Sequence, residues 1–356
     1  MRKGQRRNGE YFMRRYQYLD VARGLGLLLV IISHSCGLSR FLINYYIPLF
    51  FVVSGYIYKE GRSYRENITH KAKRLLIPYF GYSAVLLAVY ALMGRTFAET
   101  KASAFGILYS RYCLYDTTVV PNNVYLFTVA NGAMWYLTAF FATSLVYHVV
   151  IDRCLTDKKF LIGTLVILTV ITMVLADIPV LLPWSIDLAC VGTIFMIAGT
   201  LLGRAQFFEK KWNIPLIAAV LAIYILTSCL DPGINMSIRE YGVYGAVSVP
   251  FFIIVGLTGS LLCIWFGKLI ENTAPGKFIA YVGKNTIFLL AFHIFALEVI
   301  ERIASKFIAI PAPGGPIVPF VLYHALRIAA AVLGCLAVST LIEKTKKMLS
   351  QKRRPC

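Results

Sequence analysis

An arginine and a histidine stand eleven positions apart in an otherwise apolar run, Tyr18-Leu-Asp20-Val-Ala-Arg23, nine small or aliphatic residues, then Ser33-His34-Ser35. At about 100° per residue, positions 23 and 34 fall within roughly 20° of each other on a helix, with Asp20 on the neighbouring edge. Asp20, Arg23, Leu27, Val30 and His34 then form one stripe along a helix of membrane-crossing length. An ionised side chain at the bilayer centre costs on the order of 2.5–3.5 kcal/mol on insertion scales, so such residues face a bundle interior or a wet cavity. The stripe predicts a functional lumen inside a helical membrane protein.

The rest of the chain has the composition this demands. Hydrophobic residues make up 58% and charged residues 15%, with a mean hydropathy of +0.68, which excludes an ordinary soluble domain. Runs able to span about 30 Å of hydrocarbon occur at about 18–38, 42–58, 75–93, 132–151, 160–177, 184–203, 214–230, 243–267, 283–303 and 318–342. The expected fold is all-α and polytopic, a bundle of about ten transmembrane helices embedded in the lipid bilayer.

A net charge of +19 would suit a nucleic-acid partner, but the basic residues are not gathered into one soluble patch, and no nucleic acid is expected. They fall in short segments between apolar runs. Arg2, Lys3, Arg6, Arg7, Arg14 and Arg15 precede the first run, and Lys59, Arg62, Arg65, Lys71, Lys73 and Arg74 fill the gap before the third. Arg153, Lys158 and Lys159, then Arg204, Lys210 and Lys211, mark later even-numbered gaps. The positive-inside rule puts both termini in the cytoplasm of a multi-pass inner (plasma) membrane protein and requires an even number of spans. The expected divisions are a basic tail over 1–17, a membrane domain over 18–342 and a basic tail over 343–356. The longest polar segment, 94–131 with Asn122, Asn123 and Asn131, is expected outside, and nothing resembles a removable signal peptide. Eight cysteines without a CxxC pair read as small buried hydrophobes, and no metal site is expected.

Several strings fall in a consistent order along the chain. They are Tyr18-Leu-Asp20-Val-Ala-Arg23 through His34-Ser35; Ile47-Pro48 through Ser54-Gly55-Tyr56; and Lys71-Ala-Lys73-Arg74 through Pro78-Tyr79. Met134-Trp135-Tyr136-Leu137, then Asp187 with Phe195 and Gly199, Asn235-Met-Ser, and Gly283-Lys-Asn285 through His293 complete the set. Together they resemble the integral-membrane acyltransferase-3 family, particularly its fucose 4-O-acetylase-like branch. The resemblance implies transfer of an acyl group, usually acetyl from the cytoplasmic thioester acetyl-CoA, to a hydroxyl of a cell-envelope glycan or lipid-linked sugar. No metal takes part in that chemistry.

The family's arginine–ten residues–histidine motif falls on Arg23 and His34. As a catalyst, His34 would take the proton from an acceptor hydroxyl as its oxygen attacks the thioester carbonyl, because imidazole titrates near operating pH. As a structural residue it would be a neutral hydrogen-bonded imidazole. Asp20 and Arg23 form either a simple i,i+3 ion pair or the donor-side environment of that base. Lys71, Lys73 and Arg74 read as a positive-inside anchor or as a clamp for the phosphates of coenzyme A. The family's two basic residues three apart correspond to Lys71 and Arg74. Ser54 and Gly55 read as a close helix contact. Trp135 reads as an interfacial belt residue or as the border of the acceptor pocket. Asn285 and His293 could contact donor or acceptor, or tie helices together; Asn285 is grouped with the donor site and His293 with the acceptor site.

The rival class is a transporter or flippase of a small molecule or glycan precursor, which would also line a lumen with polar groups. Such a fold would show internal repeats and broken helices, and the sequence shows no persuasive repeat. An enzyme is the favoured class; whether His34 acts as a general base or is transiently acylated is open.

Overall fold

The structure, a computed structural model, describes residues 16–37, 40–116, 124–126, 132–211, 213–231 and 235–352. The basic residues before Tyr16, the asparagines 122, 123 and 131, and Arg353 and Arg354 lie outside the described residues. Those described form twelve α-helices linked by short 3₁₀ turns, with isolated β-bridges and no strand. The helices are α1 (Gln17–Cys36), α2 (Arg40–Tyr56), α3 (Tyr64–Leu92), α4 (Phe97–Tyr109), α5 (Trp135–Cys154), α6 (Lys158–Ala176), α7 (Ala189–Arg204), α8 (Ile214–Leu230), α9 (Ser248–Ile270), α10 (Ala274–Lys284), α11 (Thr286–Ala304) and α12 (Ile317–Lys352). Every apolar run expected to be a helix is one. Seven helical segments are long and apolar enough to cross a membrane, and those of α2 and α8 are apolar but shorter. Helix α11 carries Glu298, Glu301 and Arg302 in its last turns. This is an all-α polytopic membrane protein.

Two helices were not expected. Helix α4 lies in the polar segment after α3 and starts with a capping box, in which Thr96 and Glu99 satisfy each other's backbone N–H groups. Helix α10 starts at a Thr273 cap with a proline in its first turn, and is separated from α11 by Asn285 at φ −99°, ψ 17°. The C-terminal basic stretch is helical as far as it is described. Helix α12 runs on through Lys352, because the residues after Ile342 are mostly good helix formers.

The core is built from α1, α2, α5, α7 and α9. Helix α2 lies along α7, and α1 packs against α2, α9 and α10. Both close approaches need glycine. A Cβ on Gly55 would collide with the Met196 carbonyl of α7, and one on Gly283 with the Asp20 carbonyl of α1. The second contact brings the end of α10 against the Asp20–Arg23 turn. Helices α6, α8 and α12 leave outward faces rich in exposed Ile, Leu and Val, such as Ile162, Leu226 and Leu333. An apolar belt of this extent exceeds what a soluble monomer exposes and is what hydrocarbon covers.

Contacts between connections sort them into two ends. At one end Gln17 bonds Glu271, Tyr18 bonds Glu209, and Arg204 pairs with Glu60. At the other, Tyr109 bonds Leu181, Ser35 bonds His324, and Arg327 pairs with Glu301. The first is the basic end of the molecule. The seven described cysteines are free, and Cys113 is fully buried.

Candidate active site

The stripe on α1 passes from one cavity to another. Asp20 and Arg23 line a cavity of about 380 Å³ at the basic end, and Val30 and His34 line one of about 440 Å³ toward the opposite end. Leu27, between them, is fully buried in the core. Over eleven residues an α-helix rises about 16 Å, so one helix carries the cation and the imidazole at well-separated depths.

The basic-end cavity has the chemistry of an anion site. Its lining includes Arg23, Lys71, Arg74, Lys284 and Lys346 against Asp20 and Glu343. Arg23 pairs with Asp20 at 3.4 Å, and its guanidinium remains a quarter exposed. Lys71 donates to Ser54 Oγ at 3.3 Å and lies 4.6 Å from the Phe140 ring centroid. Arg74 follows Lys71 by three residues and reaches the same cavity. Lys73, two residues from Lys71 and so on another helix face, is exposed and does not line it. Asn285 does line it, but its amide ties helices together: Nδ2 donates to Tyr281 O at 3.0 Å and Oδ1 accepts from Ser339 at 2.9 Å.

The second cavity has a different lining. His34 is exposed to it, in the last turn of α1, with Ser33, Tyr46, Trp135, Asn235, Ser237 and Glu240 around it. Aromatic faces beside amide, hydroxyl and carboxylate groups can hold a polyhydroxylated ligand by stacking and hydrogen bonds. His293 is buried behind this cavity, its ring 5.2 Å from that of His34. Tyr136 and Leu290 line both cavities, and each exposes less than a tenth of its surface. They form a tight neck, in which Tyr136 is wedged among Phe50, Phe51 and Phe140. The two cavities adjoin at these side chains.

A family model described as an acyltransferase domain matches residues 16–340. The chain belongs to the acyltransferase-3 family. It is a membrane acyltransferase, and no curated protein or solved structure matches it. The match runs through both cavities and nearly to the end of the apolar part of α12.

Other features of this acyltransferase were not visible in its sequence. Tyr46, Tyr136, Glu240, Lys284, Glu343 and Lys346 join the cavities through contacts between elements remote in the chain. The outer cavity's wall rests on a buried ion cluster. Asp187 pairs with Arg111 through one oxygen and with Arg239 at 3.4 Å through the other. All three are at most 2% exposed. Other guanidinium N–H groups donate to carbonyls: Arg111 to Leu182 and Ser237, and Arg239 to Leu175, Ile178 and Val180. Three segments are thereby tied to the Asn235–Glu240 loop, which lines the acceptor-like cavity.

The same cluster holds strained backbone. Ser110, Trp184, Ser185 and Arg239 all have φ between 55° and 63°, a region costing roughly 1–2 kcal/mol for each non-glycine residue. The turn at Trp184–Ser185 is what delivers Asp187 inward. Replacing Asp187 by alanine leaves two guanidinium groups buried around one missing anion. Breaking a buried pair costs about 3–5 kcal/mol, so Asp187→Ala should strongly lower the thermal unfolding midpoint in detergent. An unchanged midpoint would mean that these arginines reach water.

Proposed function

We propose that the chain is an O-acyltransferase of the fucose 4-O-acetylase-like branch, moving an acetyl group from cytoplasmic acetyl-CoA to a hydroxyl of an envelope glycan or lipid-linked sugar. The observation that carries this reading is the pair of chemically unlike cavities meeting at Tyr136 and Leu290, with Arg23 and His34 of one helix on either side. Five basic side chains against two acidic ones suit the phosphates of an elongated thioester. A tight neck favours a small acyl group over a long one.

In this mechanism Lys71 and Arg74 hold donor phosphates and Arg23, braced by Asp20, draws the donor inward. The acyl end reaches the neck. An acceptor hydroxyl, stacked near Trp135, gives its proton to His34 while its oxygen forms the new C–O bond at the thioester carbonyl. The C–S bond then breaks, and His34 returns the proton to the departing thiolate. A single base thus serves both halves of the exchange. The ternary complex is preferred to an acyl-histidine because the neck lets both reactants meet beside the same imidazole.

His34→Ala should leave a folded, inserted protein, since it removes one polar group from a wet cavity. Transfer of radiolabelled acetyl to alkali-labile envelope material should fall by at least about a hundredfold, the lower scale for losing acid–base catalysis. A well-expressed His34→Ala protein with near-normal turnover would defeat the mechanism and return the chain to the transporter class.

Arg74→Gln should weaken binding of the donor and leave acceptor affinity unchanged. Loss of one charge-assisted hydrogen bond corresponds to about 1.5–3 kcal/mol. Unchanged donor affinity in isothermal titration would reduce Arg74 to a membrane anchor. Lys73→Gln, outside the cavity, is the matched control.

The basic end is assigned to the cytoplasm. Single cysteines replacing the exposed Lys101 and Lys306 should then react with an impermeant maleimide in intact cells, whereas one replacing Lys159 should react only after permeabilisation. The reverse pattern would invert the orientation.

A further inference from the structure

His293 carries an unusual hydrogen-bond pattern. It is 1% exposed, on α11, and its Nδ1 lies 2.9 Å from Leu289 O and 3.1 Å from Leu290 O. Carbonyl oxygens only accept, so Nδ1 must carry the proton and donate. That fixes the tautomer and leaves Nε2 with a lone pair and no proton. Nε2 is buried and has no hydrogen-bond partner among the described residues. Leaving such an acceptor unpaired is destabilising.

The neighbouring ring is His34, 5.2 Å away between centroids and tilted by 48°. A general base is normally held by a third group that fixes its tautomer and stabilises its charged form. Among the described residues no carboxylate is paired with His34. The group beside it with acceptor capacity to spare is the Nε2 of His293.

We propose that His293 is the positioning partner of His34. Its Nε2 accepts the ring N–H of His34 once that exposed side chain turns toward it. The other nitrogen of His34 is thereby left basic and directed at the acceptor hydroxyl. When His34 takes the hydroxyl proton, the imidazolium keeps its inner N–H bonded to His293. When it gives that proton to the leaving thiolate, the pair returns to its starting state. No proton leaves His293, whose Nδ1–H stays on the backbone carbonyls. This inference rests on His34 being the base; it reassigns His293 from acceptor binding to the chemistry.

Other titratable groups face the pair. Tyr46, Tyr136 and Glu240 line the cavity in front of His34. Behind its neighbour Ser35 stand His324 and Arg327, the latter paired with Glu301. They are common to the two variants below, so a difference between those variants reports on His293.

Asparagine and glutamine separate the two jobs of this imidazole. Asn can replace the Nδ1 donor to the carbonyls but places nothing where Nε2 was; Gln places a carbonyl oxygen there. In full-length protein in lipid nanodiscs, His293→Asn should lower kcat about 10- to 100-fold, the scale of one hydrogen bond to a charged group. KM for donor and acceptor should change little. The acid limb of the pH–rate profile should move to lower pH, because the imidazolium has lost its partner. His293→Gln should recover most of kcat and the original limb.

An Asn enzyme with normal kcat and pH profile would overturn the proposal. So would a folded Gln enzyme as slow as His293→Leu, and that comparison decides the matter if the Asn protein does not insert. If His34→Ala is inactive while His293→Asn is normal, only this inference fails. If His34→Ala is active, the reading of His34 as the base fails first.

Discussion

An ionic group inside an apolar slab must find a counter-ion, a carbonyl or water, and the architecture follows from how each group finds one. Arg23 finds Asp20 one turn away and a polar cavity in front of it. Arg111 and Arg239 find Asp187 and a set of carbonyls. Those two solutions differ in consequence. A cation facing a cavity is placed to meet a ligand, whereas a cation enclosed by protein is fixed scaffold. In the proposed function Arg23 therefore serves the donor while the arginine pair belongs to the frame, although all three would read alike on a hydropathy plot.

The cavities depend on helices that pass close enough to bring their ends together. Gly283 lets α10 lie on the Asp20 turn of α1, and this contact places Lys284 and Asn285 beside Arg23. Gly55 does the same between α2 and α7, holding Ser54 where Lys71 can reach it. The glycines of the recurring strings thus serve the site through packing. Tyr136 serves it more directly, since its side chain lines both cavities.

Much of this was legible in the sequence where a signal is local. Apolar period and length located ten of the twelve described helices, and the i, i+3, i+7 spacing put Asp20, Arg23 and His34 on one face. Lys71 and Arg74, three apart, line one cavity, and Lys73, on another helix face, does not. Helix α4 had a readable start in Thr96-Phe-Ala-Glu99, masked by the polar character of the surrounding segment. What was not legible is long-range. Glu240, Lys346 and the Arg111–Asp187–Arg239 cluster are assembled from segments scores of residues apart, and no local periodicity encodes such a meeting. For Asn285 the sequence left ligand contact and helix tying both open; its amide bonds Tyr281 and Ser339, the latter brought by the packing of α12.

The two ends also differ in stiffness, for a reason set by their side chains. The wall of the His34 cavity is held by a buried ion cluster beside which four residues adopt left-handed backbone. Such strain persists only where the surroundings over-determine it, so the loop bearing Asn235 and Glu240 is a rigid surface. The basic-end cavity is walled by lysines, arginines and a glutamate, Lys284, Lys346, Arg74 and Glu343 among them, on long rotamer-rich stems. A rigid wall distinguishes one hydroxyl from another by shape, and a wall of flexible cations accepts a long polyanionic carrier along its length. The asymmetry matches what an acyl transfer asks of its two substrates: selectivity for the acceptor, and capture of a donor whose reacting end lies far from its charge.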